Sequence, residues 1–246
     1  MLAGNLPDGE LEPIAKFPEI RGMLCRPLGD SALLITVGSL ADETTAQQVQ
    51  SLSEALRNNL LHGVEDIVPA FTTITVHFDP RAIGGVDPQA VVEAWVGRWW
   101  TDPRPLNHGP RREVRVPVQY GGTGGPDLPW VAETTGLRMT EVVELHAGAR
   151  YTVAAIGFSP GFPYLIGLPR ELDVPRRATP RASVPAGSVA IAGGQAGIYP
   201  QSTPGGWNVI GRTDLALFDP EGRPPAHLRV GDHVRFEPVE ARGIDD

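Results

Sequence analysis

The sequence predicts an α+β chain in which a small N-terminal α+β domain is followed by a β-barrel domain. Three observations carry that prediction. The first hundred residues interleave two helical apolar stripes with alternating strand patterns. From Thr101 to Glu113 the run TDPRPLNHGPRRE has no period at all and is dense in proline and charge. From Tyr151 onward only short apolar runs remain, each bounded by glycine or proline. The expected organisation is a mobile tail at 1–21, an N-terminal domain at 22–103 and a barrel domain at 111–240.

In chain order, the tail is rich in proline, glycine and acids and lacks periodicity. Ser31 to Val37 (SALLITV) is an apolar run suited to a buried strand. Asp42 is placed to cap a helix whose apolar positions Ala46, Val49, Leu52, Leu56 and Leu60 recur every three or four residues, ending near Gly63. Two strands follow, IVPA and TTITVHF; in the second, Ile74, Val76 and Phe78 alternate with Thr73, Thr75 and His77, which puts His77 toward solvent. Asp87 and Pro88 open a second helix carrying Val91, Val92, Trp95 and Trp99 along one side. Past the boundary, Val114, Val116 and Val118 alternate cleanly as a strand. The glycine-rich GGTGGPDL then runs into a helix with Asp127 as expected N-cap, and a second short helix begins at Thr140 and closes at Gly148. The chain ends in the hairpin-like LRVGDHVRFEP.

Composition removes several functions. The net charge of −8 argues against nucleic acid, which needs a basic face. No run of about 18 apolar residues is present to cross a membrane, and the N-terminus lacks a cationic start and apolar core, so the expected location is cytoplasmic. Cys25 is the single cysteine and cannot form an internal disulfide; the six histidines show no HExxH and no i, i+4 pair, so no metal site is expected. Lys16, in the tail, is the only lysine, which leaves the folded part without a Walker-type lysine or a Schiff base.

The stretch from Ile156 to Thr213 is where chemistry is expected. It alternates proline, which fixes φ, with glycine, which frees it, so the backbone shape is specified residue by residue. Phe158, Phe162, Tyr164, Tyr199 and Trp207 supply flat walls, while Arg176, Arg177, Arg181 and Arg212 supply fixed positive charge, with Gln195 nearby in AGGQAGIYP. Such a pattern fits a shaped pocket for a small anion, although any single arginine could serve only as a salt-bridge partner for the 29 acids. GGTGGPDL reads either as a tight strand-to-helix turn or as a secondary anion site. His146, near a helix end, reads either as a partner of the last helix carbonyls or as a proton-transfer group. Ser159 lies in GFSPGF rather than GxSxG, so a serine nucleophile is not expected.

At these residues the chain resembles the KipI-like family, also described as allophanate hydrolase subunit 1 and as the B-type subunit of 5-oxoprolinase. The resemblance is carried by GDSALL (Gly29 to Leu34), VEDIVPAFTTITVHFDP (Val64 to Pro80), VPVQYGG with GPDL, Tyr151 with Val153, GFSPGFPYLIGLP, PRRATPRASVPAGSVAIAGGQAGIYP and PGGWNVIGRTDLALFDP, over about residues 22 to 237. It implies a cyclophilin-like barrel and a KipA-like partner (the C-type subunit of 5-oxoprolinase, or allophanate hydrolase subunit 2), the pair resembling the carboxyltransferase portion of urea carboxylase. In the 5-oxoprolinase version a third, LamB/YcsF-like chain (the A-type subunit) joins, and a lactam is opened at the expense of ATP with magnesium, at a site shared with the partner. Carried onto this sequence, the resemblance implies substrate contacts at Phe158, Phe162, Tyr164, Arg176, Gln195, Tyr199, Trp207 and Arg212, with Arg177 and Arg181 as catalytic candidates; His146, from its position near a helix end, is a third. Two other roles stay open: inhibition of a sensor histidine kinase, and allophanate or urea-linked hydrolysis. Allophanate hydrolases proper use a Ser–Ser–Lys arrangement, which a chain with its only lysine in the tail cannot supply.

Overall fold

A computed structural model of the chain describes residues 19–20, 23–100 and 112–239. The expected tail, except its last strand residues, and the expected domain boundary at 103–111 lie outside the described residues. The N-terminal elements are β1 (Glu19–Ile20), β2 (Met23–Pro27), β3 (Ala32–Thr36), α1 (Glu43–Asn58), β4 (Val64–Ala70), β5 (Thr73–Phe78), α2 (Pro80–Ile83) and α3 (Pro88–Trp100). Their strands are ordered β1-β2-β3-β5-β4, every neighbour antiparallel.

Local sequence explains most of these elements. Asp42 caps α1 as expected, its carboxylate accepting the Thr45 N–H at 2.8 Å. Ala46, Val49, Leu52 and Leu56 form the buried stripe, but the helix stops at Asn58 and Leu60 is exposed. The stop is explained by Asn59, which leaves helical dihedrals and turns its side-chain amide back onto the Ala55 carbonyl at 2.8 Å. In β5 the two-residue period holds: Ile74, Val76 and Phe78 are buried and His77 is exposed. Strand β2 and the single turn α2 escape a pattern reading because both are short, β2 ending at Pro27 and α2 beginning at Pro80.

The remaining elements are β6 (Glu113–Tyr120), a 3-10 turn at Gly122–Gly124, α4 (Leu128–Thr135), α5 (Met139–Gly148), β7 (Tyr151–Ile156), β8 (Pro163–Ile166), a 3-10 turn at Arg170–Leu172, β9 (Arg181–Val184), β10 (Ser188–Ala192), β11 (Gln195–Ile198), β12 (Thr203–Gly205), β13 (Asn208–Arg212) and β14 (His233–Pro238). Seven of these strands close a barrel in the order β7-β14-β6-β13-β10-β11-β8 and back to β7, so the α+β expectation with a terminal barrel holds. The expected terminal hairpin does not form. Leu228, Arg229 and Val230 make no strand, and β14 instead pairs parallel with β6 and antiparallel with β7. A parallel neighbour so far away in sequence leaves no local signature.

One face of every barrel strand feeds a single core that includes Val116, Val118, Tyr151, Val153, Leu165, Ile191, Ile198 and Phe236, with α4 and α5 packed onto it. Met23, Leu33, Ile35, Leu56, Ile74, Val76 and Val92 form a separate N-terminal core. Each fully buried Val, Leu or Ile contributes roughly 1.5–3 kcal/mol of transfer free energy. The N-terminal strands join the barrel at the tip of the β4–β5 hairpin, where Ala70 pairs with Ala155 and the Phe71 N–H bonds the Ala154 carbonyl at 2.8 Å.

Candidate functional site

Because side chains alternate along a strand, β8, β10, β11 and β13 each present a second face away from the barrel core. Register places Gly197 opposite both Ala190 and Tyr164, and Ala190 opposite Val209, on that outer face. Phe162, Tyr199 and Trp207 stand at the ends of these strands and cover it, forming with Ala190, Ala192, Val184 and Val209 a second apolar cluster. Their rings meet edge to face: Phe162 is 5.2 Å from Tyr199, 5.7 Å from Trp207 and 5.0 Å from Tyr164 between centroids. Such close aromatic packing needs Gly197, since a Cβ there would sit 2.8 Å from the Phe162 ring and 3.0 Å from the Trp207 ring.

Phe158 adds an unusual element. Its φ is +68°, a left-handed conformation that costs a non-glycine residue on the order of 1–2 kcal/mol, and its side chain is 62% exposed. The tight turn from Gly157 to Phe162 imposes it: Ser159 N–H bonds the Gly157 carbonyl at 2.8 Å, Phe162 N–H bonds the Ser159 carbonyl at 3.0 Å, and Gly157 N–H bonds the Phe162 carbonyl at 3.1 Å. The ring is thereby held over Phe162 and Tyr199 at 5.4 and 6.3 Å.

The arginines face these rings across the cavity. They leave a non-helical segment that is stapled down in two places, by the Asn208 amide on the Pro175 carbonyl at 2.9 Å and by the Arg177 N–H on the Gly206 carbonyl at 2.8 Å. Behind them lies Asp127, 4% exposed. Its Oδ1 accepts Arg177 Nη1 at 2.7 Å and Arg181 Nη2 at 2.8 Å; its Oδ2 accepts Arg181 Nη1 at 2.7 Å and the Val209 N–H at 2.7 Å. The expected N-cap role of Asp127 is therefore corrected: it occupies that position but makes no capping hydrogen bond, because the arginines and β13 engage its carboxylate instead. The hydrogen bond to Asp127 in turn raises the Arg181 pKa. Tyr199 is held above the usual phenol range, chiefly by burial, although the Trp207 backbone bond and the Arg176 and Arg181 charges oppose the shift.

Of the residues singled out from sequence, Phe158, Phe162, Tyr164, Arg176, Arg177, Tyr199 and Trp207 line one cavity of about 190 Å³, closed by Pro180, Gly205 and Gly206. Arg181 stands behind it on Asp127. Three do not line it. Gln195 starts β11 opposite Ala192 at the hairpin end, and Arg212 ends β13 with its side chain exposed beside Gly124. His146 lies in the barrel core, 0% exposed, with Nδ1 2.7 Å from the Tyr120 hydroxyl and its ring 4.5 Å from that of Phe236. Burial pushes its pKa down to about 3, so it stays neutral there. Sequence reasoning missed Asp127 as a site residue; its only signal was an acid beside a glycine-rich loop, which a capping role also accounts for.

Magnesium-ATP, the cofactor the resemblance implies, does not fit this cavity by itself. A volume of about 190 Å³ falls below the roughly 300–1,000 Å³ that larger organic ligands occupy. Asp127, the carboxylate behind the cavity, already accepts four hydrogen bonds, so its acceptor positions are filled. Among the described residues no group of three or more His, Cys, Asp or Glu could hold a metal ion, and no helix is long and apolar enough to cross a membrane.

Comparison with known proteins agrees with this fold. Residues 23–228 match the family model described as carboxyltransferase domain, subdomain C and D. The chain is 41% identical over 215 residues to the B-type subunit of 5-oxoprolinase from Bacillus subtilis, covering 85% of this chain and 90% of that protein. It is 42% identical to the protein of the same name from Escherichia coli, covering 87% and 95%. Among solved structures, TTHA0988 superposes with a TM-score of 0.74 at 36% identity, over 85% of this chain and 40% of that longer one. The Kluyveromyces lactis urea carboxylase shares the fold, with a TM-score of 0.69 at 17% identity over 92% of this chain and 23% of that one. The match over residues 23–228, with 41–42% identity across most of both chains, places this chain in the carboxyltransferase-domain family, in the KipI-like group that includes the B-type subunits of 5-oxoprolinase.

Proposed function

We propose that this chain is the B-type subunit of a heteromeric, ATP-dependent amide or lactam hydrolase, with 5-oxoproline as substrate: 5-oxoproline, ATP and water give glutamate, ADP and phosphate. The observation that carries the reading is the cavity itself. It sets flat aromatic walls against guanidinium groups in a space sized for a five-membered ring with a carboxylate. The B-type 5-oxoprolinase relatives, at about 40% identity over most of their length, supply the substrate and the complex.

A lactam carbonyl is a poor electrophile, and the reading has it activated by ATP at a site shared between this chain and its KipA-like partner. The work assigned to this chain is binding and orientation. Arginine forks hold the carboxylate, the Phe162, Tyr199 and Trp207 rings flank the lactam, and Phe158 covers the mouth against water. A cavity of about 190 Å³, too small for a nucleotide by itself, supports a site completed by a second polypeptide, with the nucleotide and magnesium shared with that partner.

The test is reconstitution of the purified chain with its KipA-like and LamB/YcsF-like partners, following ADP and glutamate. The expected result is 5-oxoproline-dependent release of both in equal amounts. A verified ternary complex that releases neither would sink the proposal.

A further inference from the structure

We infer that Arg177 is the carboxylate receptor of the cavity through its Nε–Nη2 edge, and that Asp127 is the residue that positions it, with Arg181 acting as a strut. The choice of 5-oxoproline as ligand rests on the proposed function; the anion receptor rests on this chain alone.

A guanidinium offers two bidentate edges, Nη1–Nη2 and Nε–Nη2. Both Nη groups of Arg181 are engaged by Asp127, so its terminal edge is closed. Arg177 gives Asp127 only Nη1. Its Nε is buried and has no partner, although Arg177 lines the cavity. Buried N–H groups without a partner are rare and costly, so this one calls for an explanation, and a carboxylate that enters the cavity, displaces the neighbouring wall and accepts from Nε and Nη2 together supplies it.

Charge points the same way. Asp127 is a single negative charge facing two guanidiniums, and Arg176 adds a third positive charge at the cavity wall. With its four acceptor positions filled, Asp127 leaves a positive excess directed at the cavity. Its own placement is fixed by a two-way clamp on β13: the Asp127 N–H bonds the Val209 carbonyl at 2.9 Å while Oδ2 accepts the Val209 N–H. A carboxylate anchored to a barrel strand holds Arg177 at one angle and lets ring and carboxylate be read together. The opposite wall of edge-to-face aromatics suits a flat ring, so the ligand class is a small cyclic monocarboxylate.

The experiment is calorimetric titration of the full chain, alone and in its complex, with 5-oxoproline, with 2-pyrrolidinone (the same lactam without the carboxylate) and with pyrrole-2-carboxylate. The wild type is expected to prefer the carboxylate ligands. Arg177→Lys, which keeps the charge and removes the fork, should weaken them about 10- to 100-fold and leave 2-pyrrolidinone unchanged. Asp127→Asn should do the same to a lesser degree while its melting curve stays cooperative, a ligand-selective loss that a merely structural role would not produce. Should that variant fail to fold, Arg177→Lys and Arg177→Gln decide. Unaltered discrimination in the Arg177 variants overturns the inference, as does failure of every carboxylate to bind in either state. Arg177-dependent binding of pyrrole-2-carboxylate without any of 5-oxoproline leaves the receptor standing and removes the proposed substrate. Turnover of 5-oxoproline that is indifferent to Arg177 does the reverse.

Discussion

Asp127 and Arg181, 54 positions apart in sequence, meet through two parallel hydrogen bonds of 2.7 and 2.8 Å. This fork-to-fork pair ties the start of α4 to β9, and with Arg177 it connects the glycine-rich loop to the wall of the aromatic cavity.

Removing the charge at Asp127 should therefore destabilise the fold as well as the site. Asn keeps the volume but sets an amide against two guanidiniums that remain about a quarter to a third exposed and can partly rehydrate. The expected loss for Asp127→Asn is about 2–3 kcal/mol by urea unfolding. A change within about 0.5 kcal/mol, as for an ordinary surface substitution, would show that the pair contributes little to stability.

Phe158→Gly separates stability from function. Glycine adopts φ of +68° without strain, which offsets the lost ring contacts with Phe162 and Tyr199. Stability should remain within about 1 kcal/mol of wild type while ligand affinity falls. A strongly destabilised variant would mean that the ring is a structural cover rather than a wall of the cavity.

Gly197→Ala should act from behind the rings. Its methyl would meet the Phe162 and Trp207 rings at 2.8 and 3.0 Å, displacing both at a cost of about 1–3 kcal/mol. Loss of cavity binding together with altered near-ultraviolet dichroism is the expected pair of readouts; normal binding would show that the rings relax freely.

His146 sets a pH dependence. Its folded pKa lies at about 3, below the usual 6.5 or so of the unfolded chain, so between these values the unfolded state holds a proton that the folded state does not. Stability contributed by neutral His146 is complete above about pH 6.5 and is lost as the pH falls toward 3, by up to about 1.4 kcal/mol per unit. His146→Gln should show a shallower decline in urea stability between about pH 7 and pH 5; parallel slopes would contradict the assignment.

Cys25 gives a probe of the N-terminal core. Burial first, and the Glu93 charge second, push its thiol up to about 12, so the native protein should resist a thiol reagent and react only on unfolding. Prompt labelling under native conditions would show that the β2 edge opens.

How much of this could be read in advance follows from the range of each interaction. Local codes were legible: the Asp42 cap, the alternation of β5, the α1 stripe and the glycine-proline spacing that marks the barrel all act within a few residues. The aromatic wall was legible too, because Phe158, Phe162, Tyr164, Tyr199 and Trp207 stand where dense turns force strand ends together. His146 was misleading because a short amphipathic helix carries no sign of how deep its inner face will sit. The parallel pairing of β6 with β14 and the engagement of Asp127 by two arginines were decided only by tertiary structure. Both join segments separated by long stretches of chain, and a carboxylate shows which partner it will take only when barrel closure brings the guanidiniums to it. Sequence alone marked an aromatic and arginine-rich stretch; closure of the barrel decided which of its residues line one cavity, bringing Arg176 and Arg177 to the wall, setting Arg181 behind on Asp127 and leaving Arg212 elsewhere.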